Sequence, residues 1–333
     1  MTSSIPSTTL FITTLVTGTL VTMSSSHWIF VWAGLEINLL SFIPLMVQSN
    51  SNQETEAAIK YFLVQALGSG LLLMAGLLIS GPALTLISPS MTSLLLMMSM
   101  LIKMGAAPFH FWFPQVMACS SWYICIILST WQKLAPILVF SSITSSFSTN
   151  LIMFMAGLNS MIGGIGGINQ TQIRALLAYS SIGHMGWIIS AALISQSLTM
   201  LYLIIYMLIS SSLMLSFYMS NFKLRNTTSM NKMNKNSLWI SMLLLLSLGG
   251  LPPLLGFIPK WALLEQLMGQ TYTTLSIILI IGSLMNLFYY LTIVMNLFMA
   301  SPAVTYNTLK TSFNPLGPTA LFTLSVAPTM FML

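Results

Sequence analysis

The chain has 333 residues, of which 56% are hydrophobic and 4% charged, with a mean hydropathy of +0.89. Apolar runs of about 20 residues recur from end to end, each long enough to cross a ~30 Å hydrocarbon core as a helix, and this excludes a soluble globular domain. Ten Lys and Arg against four Glu, with no Asp, give a formal charge of +6; placed mostly at the ends of apolar runs, the excess reads as membrane topology and not as a nucleic-acid surface.

The runs are continuous instead of alternating, and backbone groups in lipid need internal partners, so the fold class is all-α: a polytopic membrane helix bundle, not a barrel. A single transmembrane domain over residues 1–333 is expected. Turn-rich breaks divide it into about eleven spans. The first lies near residues 5–24, and MTSSIPSTT before it lacks a basic n-region, so no cleavable targeting segment is expected. The second, 27–47, opens on an interfacial His27 and holds Glu36 within HWIFVWAGLEINLLSFIPLMV. The third covers 56–79; the fourth, 91–117, carries Lys103 and an internal break. Cys119 and Cys125 follow, six apart and without a CxxC or Cys/His cluster, as ordinary buried thiols. The fifth span, 122–144, has Lys133 near its middle. The sixth, 150–167, ends in GGIGGINQ, which lacks the order of a nucleotide loop and reads as close helix packing. His184 lies in the seventh, 172–194. The eighth, 198–221, leads into the polar stretch 223–236, a solvated connection. The ninth, 237–268, is interrupted before Lys260; the tenth covers 273–298 and the eleventh 316–333.

Linkers after even-numbered spans carry Glu54 and Glu56 with Lys60 nearby, then Arg174, the Lys and Arg residues of 223–236, and Lys310, whereas those after odd-numbered spans carry no Lys or Arg. Short basic loops stay on the side of synthesis. The N-terminus is therefore expected on the cytoplasmic or matrix side and, with an odd number of spans, the C-terminus opposite. A hydrophobic chain with 27 Met and no Asp is consistent with synthesis close to its membrane.

Glu36, Lys103, Lys133 and Lys260 lie where a charge costs roughly 2.5–3.5 kcal/mol, and such residues mark ion or proton pathways. Two of the lysines adjoin helix breaks: KMGAAPFHFWFP sets Gly105 and Pro108 after Lys103, and LGGLPPLLGFIPKW sets Gly249, Gly250, Pro252 and Pro253 before Lys260. Proline removes a backbone donor and clashes with the preceding turn, so both helices should be discontinuous. The alternative is a plain packing kink, common in membrane helices; the lysine beside each break favours charge binding over it. About ten apolar or small residues flank Lys133 on either side, a rise of roughly 15 Å that prevents snorkelling. Glu36 can pair directly with one lysine at most, so the others need water, polar side chains or ready deprotonation, and the last property suits a proton relay. His110 and His184 could extend it. Glu265, five residues beyond Lys260, is a poor helical partner for it. No flavin, nicotinamide, haem, iron–sulfur or metal signature occurs, so no cofactor is expected on this chain.

GLEINLLSFIPL, TEAAIKYFLVQALGS, LIKMGAAPFHFWFPQV, TWQKLAPI, GGINQTQIRALLAYSSIGHMGW and LSLGGLPPLLGFIPKW, in this order, resemble the antiporter-like membrane subunits of respiratory complex I. These are similar to Mrp-type cation/proton antiporters, and the likeness is to the shortened animal form that lacks three N-terminal helices. The resemblance implies that Glu36 pairs with Lys103, that Lys133 is the central proton-carrying lysine and that Lys260 is the terminal one. It also implies the inner mitochondrial membrane, with the N-terminus on the matrix side and the C-terminus on the intermembrane-space side. NADH, FMN, iron–sulfur clusters and ubiquinone would be held by other subunits, and the partners would be membrane lipids and chains 4 and 4L. The expected function is proton translocation driven by redox chemistry elsewhere. An independent cation/proton antiporter would want clustered oxygen ligands, which a chain without Asp supplies poorly. A scaffold without an ion path would hold its lysines dry and directly paired.

Overall fold

A computed structural model describes residues 5–48, 51–80, 89–219 and 235–299. The eleventh expected span, Lys310 and most of the polar stretch 223–236 lie outside these residues. Thirteen α-helices and no strand occur among the described residues: α1 (Ile5–Ser24), α2 (Trp28–Met46), α3 (Asn52–Ser80), α4 (Pro89–Met104), α5 (Trp112–Cys119), α6 (Trp122–Ser129), α7 (Trp131–Ile143), α8 (Thr149–Ile168), α9 (Ile173–Ile194), α10 (Gln196–Met219), α11 (Lys235–Gly249), α12 (Phe257–Gly269) and α13 (Thr273–Met299). The fourth and ninth expected spans are each two half-helices, α4 with α5 and α11 with α12. The fifth is α6 with α7, joined through Thr130. Both cysteines are free; Cys125 is buried, whereas Cys119, expected to be buried as well, is partly exposed at the end of α5.

The chain forms two compact units, Met1–Met155 and Ala156–Leu333. In the first, α2 packs on α1 and α3, α4 and α5 pack on α3, and α7 touches α1, α2, α4 and α6. In the second, α9 and α10 pack together, α12 touches α9, α10 and α13, and α11 lies against α10 and α13. Ser51 caps α3, accepting a hydrogen bond from the Glu54 amide at 3.3 Å, the S-x-x-E arrangement of a capping box.

The interior is largely apolar but holds scattered polar side chains, and the exterior is apolar too. Ser99, Ser129, Asn159, Ser190, Thr199, Ser216 and Ser241 are fully buried, while Leu20, Phe30, Leu40, Leu63, Leu67 and Phe288 are exposed. Outward apolar side chains suit lipid, and inward hydroxyls meet their need for partners locally. Ser99 Oγ donates to the Leu96 carbonyl at 2.7 Å and Ser190 Oγ to that of Trp187 at 2.8 Å, each one turn back.

GGIGGINQ is the C-terminal end of α8 and its glycines are packing surfaces. A Cβ on Gly163 would lie 2.8 Å from the Tyr179 carbonyl and closer still to the Gly183 backbone of α9; one on Gly164 would lie 2.8 Å from Met285 Cβ of α13. Small residues let helix backbones approach in this way. Gly163→Ala should therefore lower the stability of the solubilised chain by about 1–3 kcal/mol through overpacking. Gly70→Ala, with open space at its Cβ, should be neutral or stabilising by up to about 1 kcal/mol. Thermal unfolding in detergent reads both, and equal behaviour of the two variants would contradict this account of α8.

Candidate functional site: buried lysines at interrupted helices

The two breaks are the same structural device. After α4, Gly105 has φ +68° and its amide donates to the Ile102 carbonyl at 3.1 Å, while the Ala106 amide reaches back to Leu101 at 3.0 Å. After α11, Gly250 has φ +79°, with its amide on the Ser247 carbonyl at 3.0 Å and that of Leu251 on Leu246 at 3.4 Å. Both are Schellman motifs, in which a left-handed glycine turns the chain so that two amides satisfy orphan carbonyls. Gly250 therefore makes the second turn; Gly249 is the last residue of α11. Pro108, Pro252 and Pro253 lie in the connecting segments, where no helical ladder needs their missing N–H groups.

Each helix end also receives a donor from a side chain. Gln65 Nε2 on α3 donates to the Lys103 carbonyl at 3.3 Å. Lys260 Nζ, from the first turn of α12, donates to the Gly249 carbonyl at 2.9 Å. The last carbonyls of a helix form the negative end of its dipole, so an ammonium there is both hydrogen-bonded and electrostatically favoured. Lys103 lies in the last turn of α4, and its stem crosses α3 at Gly68, where an added Cβ would be 3.2 Å from Lys103 Cγ.

Lys103 and Lys133 line one cavity of about 20 Å³ together with Asn38, Tyr61, Gln65 and Gln132. That is room for about one water, since roughly 10–15 Å³ of such volume suffices. Lys133 Nζ also stands 4.5 Å from the centroid of the Phe113 ring, a cation–π distance. Thr130, at φ −111° and ψ −73°, interrupts the helix just before it, and the Lys133 amide bonds back three residues to the Thr130 carbonyl at 3.3 Å. This irregular turn was not expected from the sequence. Its signal is Pro136 inside α7, which has no N–H for the Gln132 carbonyl.

Glu36 is half-buried on α2 and does not line the cavity. It lies two residues, about 200° of helix, from the inward-facing Asn38. Its Oε2 is buried and has no hydrogen-bond partner among the described residues, but the carboxylate is near enough to act electrostatically on Lys103 and Tyr61. His110 sits in the first break with Nδ1 3.2 Å from the Pro108 carbonyl, outside the cavity lining. In the second unit His184 Nδ1 lies 2.9 Å from the Tyr202 hydroxyl, and the Tyr206 ring is 5.2 Å away. Trp187 stacks on Tyr202, and Lys260 Nζ is 5.8 Å from the Trp187 ring centroid. Glu265 is exposed whereas Lys260 is buried.

Asn38, Tyr61, Gln65, Tyr202 and Tyr206 were missed by sequence reasoning. On α3 a signal existed: Tyr61, Gln65, Gly68, Ser69 and Leu72 recur at helical spacing and form the buried stripe. In a membrane helix the polar and small residues mark the inward face.

Helices that end inside apolar spans beside a charged side chain are a feature of membrane transporters. The family described as NADH:quinone oxidoreductase/Mrp antiporter, transmembrane, matches residues 25–286. The chain is similar to NADH-ubiquinone oxidoreductase chain 2 of Lumbricus terrestris, at 44% identity over 87% of each chain. It is also similar to that of Pongo abelii, at 40% identity over 96% of this chain and 94% of the other. Among solved structures, a chain of respiratory complex I from Thermus thermophilus has the same fold, with a TM-score of 0.82 at 21% identity over 96% of this chain and 78% of that one. The chain thus belongs to the antiporter-like family and, within it, to the NADH-ubiquinone oxidoreductase chain 2 proteins.

Because a Cβ on Gly250 would approach Lys260 Nζ to 2.8 Å, Gly250→Ala should be more damaging than the ~1–2 kcal/mol cost of a left-handed non-glycine residue. Lys260→Met should leave the Gly249 carbonyl without its charged donor, at a cost of about 1.5–3 kcal/mol. Thermal unfolding of the solubilised chain measures both, and a Gly250→Ala protein as stable as the parent would contradict the geometry.

Proposed function

We propose that the chain is a proton-translocating membrane subunit of respiratory complex I and that Glu36, Lys103, Lys133 and Lys260 carry or control the protons. Family membership supports the first part. The second rests on one observation: Lys103 and Lys133 line a single buried cavity with four polar side chains and room for about one water.

In this reading Glu36 holds charge on Lys103 through space, and weakening that interaction alters the proton affinity of Lys133. One unit of pKa corresponds to about 1.4 kcal/mol, and charges in a low-dielectric interior exert more than this on one another. Modest charge movements therefore suffice to gate transfer. Lys260 is the terminal group, its ammonium held at the end of α11 and 5.8 Å from the Trp187 ring, which stacks on Tyr202, the hydrogen-bond partner of His184. His110 is a second accessory group. Redox chemistry with NADH, FMN, iron–sulfur clusters and ubiquinone takes place on other subunits. The chain lies in the inner mitochondrial membrane with its N-terminus towards the matrix, beside chains 4 and 4L and membrane lipid.

Lys133→Ala and Lys260→Ala, each in a fully assembled complex, should lower the number of protons pumped per electron. Proton uptake by inner-membrane vesicles during NADH oxidation measures it, and unchanged stoichiometry in both variants would sink the relay. Cation exchange by the reconstituted chain alone would instead favour an independent antiporter.

A further inference from the structure

The cavity shared by Lys103 and Lys133 has a neutral wall for which the relay has no use. The Tyr61 hydroxyl donates to Gln132 Oε1 at 3.3 Å, and Gln132 Nε2 donates to Asn38 Oδ1 at 3.0 Å. The three residues come from α3, α7 and α2, and all are buried, with 2%, 9% and 2% of their surface exposed. The Tyr61 ring is clamped edge-on between Phe42, at 5.2 Å, and Trp112, at 5.7 Å, which fixes its hydroxyl.

Gln132 precedes Lys133 in the irregular part of the fifth span. Thr130 departs from helical geometry on one side, and on the other Pro136 has no N–H to give to the Gln132 carbonyl. The local backbone ladder therefore constrains this turn less than a regular helix would. The side chain of Gln132 ties the turn to two neighbouring helices instead. An amide keeps donor and acceptor on different atoms, unlike a hydroxyl, which holds both on one. The chain of bonds thus runs one way, from Tyr61 through Gln132 to Asn38, and is suited to holding a geometry and not to handing protons along.

We propose that Gln132 is the positioning residue of Lys133. Its amide, held between Tyr61 and Asn38, sets the orientation of the Thr130–Pro136 turn and so the place of the Lys133 ammonium beside Phe113 and the cavity. Asn38 stands two residues from Glu36 on the same helix, so a shift of α2 is passed to the Lys133 turn mechanically as well as through the field of Glu36. This inference rests on the reading of Lys133 as a proton carrier.

The test uses inner-membrane vesicles holding the complex assembled with Gln132→Met, which keeps the length of the side chain and removes both hydrogen bonds. Tyr61→Phe removes one hydroxyl and keeps the ring. Leu39→Ala trims the same cavity without touching a hydrogen bond. Gln132→Met should slow NADH-driven proton pumping by about three- to tenfold, the scale of one or two ordinary hydrogen bonds, and displace its pH profile; Tyr61→Phe should act in the same direction to a smaller extent. The inference is overturned if Gln132→Met pumps as the parent does, or if its loss equals that of Leu39→Ala with an unmoved pH profile. Should Gln132→Met fail to assemble, Tyr61→Phe decides by the same criteria. Lys133→Ala separates the two levels: its loss of pumping alongside a normal Gln132→Met overturns this inference alone, whereas normal pumping by Lys133→Ala overturns the proton-carrier reading beneath it.

Discussion

A backbone carbonyl without a donor costs several kcal/mol in hydrocarbon, and two helices of this protein end inside apolar spans. Most features of the site follow from meeting that demand. Left-handed Gly105 and Gly250 fold the chain back so that its own amides reach two carbonyls at each end. Gln65 and Lys260 supply further donors from outside the helix. Lys260 is thereby bound to the structure through its charged end, and the helix dipole gives the ammonium a favourable place that bulk lipid does not. The break and the lysine are mutually dependent: the carbonyl needs a donor and the charge needs an acceptor.

Lys133 is held differently. It has no helix end to cap, and its ammonium rests against the Phe113 ring at a cavity of about 20 Å³ that it shares with Lys103 and the neutral side chains of Asn38, Tyr61, Gln65 and Gln132. A group bound by a ring face and a small polar cavity responds to small changes in neighbouring charge and geometry more readily than one bound to a helix terminus. That contrast between a lysine at a helix terminus and one at a ring face and cavity matches the roles proposed for Lys260 and Lys133. It depends on an interior in which small and hydroxyl-bearing residues are interspersed among buried apolar side chains and leave narrow polar spaces, while further apolar side chains cover the outside.

Much of this was legible in the sequence because its signals are local. Span positions follow from run length, and Ile5–Ser24, Ile173–Ile194 and Thr273–Met299 fall within a few residues of where apolar periodicity sets them. Glycine and proline beside Lys103 and Lys260 announce the breaks, since only a residue without a Cβ takes the left-handed turn at little cost. The irregular turn at Thr130 was less visible: Pro136 is the sequence sign, but many membrane helices tolerate a proline without local reorganisation.

The sequence by itself determined which of the described spans exist, where two of them break and that Lys103, Lys133 and Lys260 are buried, because each depends on residue type within a turn or two of chain; Glu36 is only half-buried, while Glu54 at the start of α3 is buried. Only the tertiary structure decided that Lys103 and Lys133 share a cavity, that Gln132 joins Asn38 to Tyr61, and that Glu36 does not line the cavity wall. Those relations depend on the rotation of each helix about its axis. In helices that are apolar almost all round, periodicity leaves that rotation open until a neighbour packs against them.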